Sequence, residues 1–67
     1  MFPSELRALH AVAQSGSIRK ASELLDIAPS SVSRKIAVLE QQFGPGLLER
    51  TSAGVSLTHA GALVAEF

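Results

Sequence analysis

Cysteine, tryptophan and tyrosine are all absent from this 67-residue chain. Without a thiol there can be no disulfide and no thiolate metal site, which fits a cytoplasmic setting. Long apolar runs are missing too. None approaches the ~20 residues needed to span a bilayer, so no membrane association is expected. The start, Met1-Phe2-Pro3-Ser4-Glu5, has no basic segment followed by an apolar one, which argues against a secretory leader. Net charge is likewise absent, because six basic side chains balance six acidic ones. That balance excludes a polybasic tail that coats nucleic acid by bulk charge, and equally an acidic disordered segment. Catalytic groupings are missing as well. The two histidines, His10 and His59, have no cysteine or paired carboxylates around them, so neither a metal site nor a general base is expected. Scattered serines and two histidines make no triad, and so short a chain cannot enclose a substrate pocket. The expectation is a non-enzyme without a cofactor.

What is present is a 46% share of hydrophobic residues, enough for a packed core. The length allows one domain. A domain this small leaves roughly 40% of its unfolded surface exposed, so its stability is expected to be modest or to lean on a partner.

Four segments show helical periodicity. In the first, from about Pro3 to Ser15, Phe2, Leu6, Leu9, His10 and Ala13 share a face. Pro3 suits a first turn and Gly16 a C-terminal cap. The second is short, Ser17 to Leu25, with Ser17 as N-cap and Ile18, Ala21, Ser22 and Leu25 on one face. Ala21 and Ser22 are small enough for another helix to pack closely. Asp26-Ile27-Ala28 then interrupts the pattern. In the third, Pro29 to about Phe43, the positions Val32, Ile36, Leu39 and Phe43 fall within about 40° of Val32 at 100° per residue. Ser30, Arg34, Ala37 and Gln41 lie opposite, flanked by Ser31 and Ser33. Gly44-Pro45-Gly46 ends this helix; it follows a helix and precedes a strand, so it reads as a turn and not a phosphate loop. Leu47 to Thr51 and Val55 to Leu57 read as a hairpin joined by Ser52-Ala53-Gly54. Thr58 would cap a last helix from His59 to Phe67, with Ala60, Leu63, Val64 and Phe67 as its apolar positions. The exposed apolar stripe of that helix calls for something to pack against.

A short helix, a three-residue turn and a longer helix with an outward Ser/Arg face make a helix-turn-helix. The major groove admits one helix, and residues near its N-terminus meet the base edges. Short hydroxyl side chains allow close approach and both donate and accept. Arginine reaches guanine O6 and N7, or a phosphate. Arg19 and Lys20, at the positive N-terminus of the second helix, suit the phosphate backbone. The hairpin would form a wing with Arg50 at its base. Each of these residues has a plainer reading. Arg34, Arg19 and Lys20 can be solvated surface cations, and Ser30, Ser31 and Ser33 can satisfy first-turn N–H groups. Lys35, about 60° from the core stripe, can merely snorkel. Arg50 can brace the wing or pair with Glu49 or Glu40. His10 is expected to be packed with its ring nitrogens satisfied, and His59 to sit at the surface of a first turn.

The residue pattern adds more than periodicity does. Leu6-Arg7-Ala8-Leu9, Gly16-Ser17, Ala21, Leu25, Val32-Ser33-Arg34-Lys35-Ile36-Ala37-Val38-Leu39-Glu40, Gly44, Leu47-Leu48, Arg50 and Leu57-Thr58-His59-Ala60-Gly61 resemble the N-terminal winged helix-turn-helix of LysR-type transcriptional regulators. The resemblance covers nearly the whole chain without insertion or deletion. It implies a mainly α fold: a three-helix winged helix-turn-helix over residues 1–57, with a small β-hairpin wing, then the start of a linker helix over residues 58–67, here cut short. It implies a bacterial regulator that binds duplex DNA at an interrupted palindrome as a dimer or tetramer. Helix 29–43 would lie in the major groove, and the wing, 47–57, on the flanking groove or backbone. A small-molecule effector would act only through a C-terminal domain that these residues do not include. The DNA-binding residues would be Arg19, Lys20, Pro29, Ser30, Ser31, Ser33, Arg34, Lys35 and Arg50. Leu63, Val64 and Phe67 would contribute to dimerisation.

The sequence also departs from the family pattern. Ala28-Pro29-Ser30-Ser31 stands where Ser-Gln-Pro-Ala is usual. An N-cap hydroxyl is thereby lost at Ala28, at a cost of about 1 kcal/mol, and a base-reading side chain is lost at Pro29. Asp26 stands where Gly is common, and His10 where an aromatic packs. The wing positions Ser52, Ala53 and Ser56 are neutral, so fewer phosphate contacts and a shallower salt dependence are expected. The alternative function is a winged-helix module for protein–protein interaction, which zero net charge would suit. Charge distribution separates the two. Residues 17–37 hold four cations against two acids, and residues 38–67 one cation against three acids.

Overall fold

The computed structural model describes residues 2–67. Its elements run α1 (Pro3–Ser15), α2 (Ile18–Leu25), α3 (Pro29–Phe43), β1 (Leu48–Thr51), β2 (Gly54–Leu57) and α4 (His59–Ala65). This is the winged helix-turn-helix that the sequence implied. Pro3 sits in the first turn of α1, and Gly16 closes it in the left-handed region, φ 72°, its N–H donating to the Val12 carbonyl at 2.8 Å. Ser17 is extended and caps α2, its hydroxyl accepting from the Lys20 N–H at 3.1 Å. α1 packs on both α2 and α3, which also pack on each other.

The core joins Leu9 and Val12 of α1, Ala21 of α2, and Val32, Ile36 and Leu39 of α3 in one buried cluster. Leu47, just before the wing, and Val64 of α4 complete it. Ser22 is the one polar core residue among those described; its hydroxyl donates to the Arg19 carbonyl at 2.6 Å, so burial leaves it satisfied.

Three expectations about packing need correction. The buried arc of α1 runs from Ala11 through Ala8 and Val12 to Leu9, while His10 and Ala13 are exposed. Phe2 and Leu6 only border the core. Because α1 has neighbours on two sides, its buried sector is wide, and the small Ala8 and Ala11 sit where helices come close. Phe43, expected in the α3 stripe, is 41% exposed. As the last helical residue it overhangs the core, stacking on Phe67 (ring centroids 5.6 Å) and meeting Phe2 edge-on (6.1 Å). The last helix ends at Ala65 rather than at Phe67, because its final bonds tighten: the Glu66 and Phe67 N–H groups reach back three residues, to Leu63 and Val64.

Strands β1 and β2 pair antiparallel, with Leu48 opposite Leu57, Glu49 opposite Ser56, Arg50 opposite Val55 and Thr51 opposite Gly54. Backbone contacts fix this hairpin to the helices. The Val55 N–H donates to the Gly16 carbonyl at 2.9 Å. Gly54, at φ 133°, lies so close to Gly16 that a Cβ there would come within 2.5 Å of that carbonyl oxygen. The Thr58 N–H donates to the Leu47 carbonyl at 3.0 Å, and its hydroxyl joins the Gly46 carbonyl (2.6 Å) to the Gly61 N–H (3.0 Å). His10 ties α1 to the end of α4, its Nε2 lying 2.6 Å from the Ala65 carbonyl.

Candidate nucleic-acid interface

The turn between α2 and α3 sets how the third helix is presented. Asp26 adopts the left-handed region, φ 58°, and its N–H turns back to the Glu23 carbonyl. The short polar side chain of Asp lets it tolerate a geometry that most residues resist. The Ile27 N–H closes on the Ser22 carbonyl at 3.1 Å, and the Ile27 side chain packs on the core. Three residues therefore turn the chain while one of them anchors it. Ala28 is extended and offers no side-chain cap to α3, while Pro29 occupies the first helical turn with φ already suited to it.

Because Val32, Ile36 and Leu39 hold the buried side of α3, the opposite side is open. Pro29, Ser30, Ser33, Arg34, Ala37 and Gln41 are exposed, and Ser31 is half-buried. Among the described residues, the hydroxyls of Ser30, Ser31 and Ser33 take no partner within the chain. The fold therefore brings Pro29, Ser30, Ser33 and Arg34 onto one outward surface, with Ser31 at its margin. Arg19 and Lys20 are exposed on the first turn of α2. Lys35 is turned elsewhere: it is half-buried, and its Nζ donates to the Ser4 hydroxyl of α1 at 3.3 Å.

The wing joins this surface at its base. In β1, Leu48 and Arg50 share a face, as strand alternation requires. Together with Val55, Ile18, Ser33, Ile36 and Glu40 they line a cleft of 260 Å³ between the start of α2, the middle of α3 and the hairpin. Ser33 and Arg50 thus face the same space from two elements. The hairpin tip carries no charge. Its Thr51 hydroxyl accepts from the Ala53 N–H at 3.2 Å and donates to the Gly54 carbonyl at 3.3 Å.

Sequence reasoning missed the role of Glu40, which it weighed only as a salt-bridge partner for Arg50. One carboxylate oxygen accepts from the Leu47 N–H at 3.2 Å, joining α3 to the entry of the wing. The available signal was an acid in the last turn of a helix that a Gly-Pro-Gly stretch follows. The three residues expected to contribute to dimerisation also divide. Leu63 and Phe67 are 52% and 80% exposed, but Val64, at 6%, belongs to this chain's own core. Among the described residues, no cluster of three or more His, Asp or Glu is placed to hold a metal ion, and no helix is long and apolar enough to cross a membrane.

Residues 3–62 match the family model described as bacterial regulatory helix-turn-helix protein, lysR family. The chain belongs to that family. An uncharacterized HTH-type transcriptional regulator of Sinorhizobium fredii, y4mQ, is 48% identical over 58 residues, which cover 87% of this chain and 20% of the relative. The HTH-type transcriptional activator AllS of Salmonella typhimurium is 43% identical over 60 residues, 90% of this chain and 20% of AllS. This LysR-family chain therefore spans about a fifth of the length of these curated relatives. Among solved structures, the LysR family regulator CbnR superposes with a TM-score of 0.89 at 33% identity, covering 98% of this chain and 23% of CbnR. The BenM DBD in complex with catB site 1 DNA superposes with a TM-score of 0.87 at 38% identity, covering 98% and 74%.

Proposed function

We propose that this LysR-family chain binds duplex DNA sequence-specifically, as the DNA-binding part of a bacterial transcription regulator acting in the cytoplasm without catalysis or a cofactor. The observation that carries the reading is the outward surface of α3. Ser30, Ser33 and Arg34 stand exposed on the side opposite the buried stripe, and Arg50 of the wing faces the same cleft as Ser33. The likeness to the BenM DBD, solved in complex with catB site 1 DNA, supports duplex DNA as the partner.

In this reading α3 enters the major groove N-terminus first. Ser30 and Ser33 exchange hydrogen bonds with base edges, Pro29 makes apolar contact, and Arg34 reaches a guanine or a phosphate. Ser31 contributes at the margin. Arg19 and Lys20 meet the phosphate backbone, helped by the positive end of α2. Arg50 meets the flanking backbone or minor groove. Lys35 takes part only by leaving Ser4. Exposed cations concentrated on the helix-turn-helix favour DNA over a protein partner, despite zero net charge.

Residues 1–57 would form the reading module, and residues 58–67 the start of the helix that joins two copies. With Val64 already in the core, Leu63 and Phe67 carry that second role. Two or four copies would occupy an interrupted palindrome, and two linked modules gain affinity that one lacks. A small-molecule effector would act through a further domain of the intact regulator. Selection from a random duplex library tests the reading. Enrichment of one half-site, repeated as an inverted pair, is expected; no enriched motif would rule it out.

A further inference from the structure

We propose that Glu40 is a positioning residue for DNA binding: its hydrogen bond to Leu47 sets the wing's Arg50 against the recognition helix. The inference rests on the DNA-binding reading and adds to it a residue that need not touch DNA.

The argument starts at the end of α3. Glu40 uses both of its acceptors to turn the chain. Its main-chain carbonyl receives the Gly44 N–H at 2.9 Å, which closes the helix. Its carboxylate receives the Leu47 N–H at 3.2 Å, across the Gly44-Pro45-Gly46 bend. That bend holds two glycines at positive φ, 103° and 80°, and among the described residues nothing lies within 4 Å of where their Cβ atoms would be. The Thr58 hydroxyl holds the Gly46 carbonyl from the side of α4, and the Glu40 carboxylate supplies the tie from α3. A carboxylate acceptor makes such a bond stronger than a neutral one would.

Leu47 is the pivot. Its side chain is fully buried, its N–H goes to α3 and its carbonyl receives the Thr58 N–H at the base of α4. Arg50 lies three residues further along, about 10 Å of strand. The side chains of Glu40 and Arg50 both line the cleft that Ser33 enters from α3. Without the Glu40 bond the wing keeps its ties to Thr58 and Gly16 but loses this link to α3, so Arg50 shifts relative to Ser33 while Leu47 stays in the core. Glu40 acts on DNA through Arg50.

The test compares Glu40→Ala with Glu40→Gln, each with Arg50 present and in an Arg50→Ala background. Both substitutions remove the charge, but the Gln amide oxygen still accepts from Leu47, so the pair isolates the hydrogen bond. The probe is the best duplex selected by the unmodified protein from a random library, with affinity measured from ~0.05 to ~0.3 M salt. One phosphate contact corresponds to a slope of about 0.9 in log affinity against log salt, or about fivefold at ~0.15 M. The expected result is about fivefold weaker binding for Glu40→Ala than for Glu40→Gln when Arg50 is present. The slope should be shallower by about one contact, and the gap should close to within twofold in the Arg50→Ala background. An equal gap in both backgrounds, or none with Arg50 present, overturns the proposal. Should Glu40→Ala fail to match the parent's circular dichroism, Glu40→Asp against the parent replaces it. That variant keeps the charge but withdraws the acceptor by one methylene, and the same dependence on Arg50 is expected. Failure to select any duplex at all sinks the DNA-binding reading itself, a result distinguishable from a selected duplex that ignores Glu40.

Discussion

Helices α2 and α3 join α1 through side chains: Ala21, Val32, Ile36 and Leu39 are buried in one cluster with Leu9 and Val12. The wing packs Leu48, Val55 and Leu57 against the same cluster, and main-chain atoms add ties that the helices do not make to one another. Its Val55 N–H bonds to Gly16, Leu47 lies between Glu40 and Thr58, and Gly54 and Gly61 sit against carbonyl oxygens that leave no room for a Cβ. Side-chain burial is non-directional and roughly proportional to area, so it decides whether the helices assemble. Main-chain hydrogen bonds and glycine contacts are directional, and they decide where the wing points. The surface that carries Ser33 and Arg50 needs both, one residue coming from each region.

The largest expected effect breaks the first region. Leu39 is fully buried at the centre of the cluster. Leu39→Ala removes its contacts and leaves a cavity, at a cost of about 2–5 kcal/mol. In a domain this small that is most of the stability, so helical circular dichroism should be lost or the melting temperature should fall sharply. Retention of the parent's melting curve would show that the helices do not depend on this cluster.

The next effect is aimed at the second region. A Cβ on Gly61 would collide with the Leu47 carbonyl oxygen, and the neighbour is backbone, which cannot swing aside. Gly61→Ala should cost about 1–3 kcal/mol. Its signature differs from that of Leu39→Ala. Amide exchange should speed up in β1, β2 and the first turn of α4, while amides of α1 and α3 keep their protection until the protein melts as a whole. Uniform loss of protection would mean that the two regions are one cooperative unit.

The same division explains what was readable from the residues alone. The three helices of the helix-turn-helix were legible nearly to their ends, because caps such as Ser17 and Gly16 and the apolar stripe of α3 are local signals. The open side of α3 followed from that stripe. The buried side of α1 did not, because Ala8 and Ala11 carry little hydrophobic weight and are buried only because two helices approach there. Phe43 obeyed the period but lies at a helix end, where the core has already run out. Glu40, Gly54 and Gly61 were invisible in their roles, since each depends on a main-chain atom distant in sequence, and no local pattern encodes such a partner.

A third prediction tests the two regions on DNA. Arg34 stands on the helix and Arg50 on the wing. Arg34→Ala should weaken binding to the selected duplex by about 1–3 kcal/mol and relax the preference for one base position. Arg50→Ala should weaken all duplexes alike and lower the salt slope by about one contact. Repeating the library selection with each variant separates them. An unchanged motif and an affinity within twofold for Arg34→Ala would remove Arg34 from DNA recognition.

The smallest effect concerns the join between turn and recognition helix. Ala28 has the extended backbone of an N-cap, φ −68° and ψ 148°, but no oxygen to offer the N–H groups of the first turn of α3. Its own carbonyl already receives the Ser31 and Val32 N–H groups, at 2.9 and 3.2 Å, so the helix geometry is in place and only the side-chain acceptor is missing. Ala28→Ser should therefore stabilise the chain by about 1 kcal/mol, raising the melting temperature by about 4–8 °C for a domain of this size. Because Ala28 is exposed, the added hydroxyl meets no packing cost. No rise in a thermal melt would mean that Pro29 alone already fixes the start of α3, and that a bare N-cap here is not a stability defect.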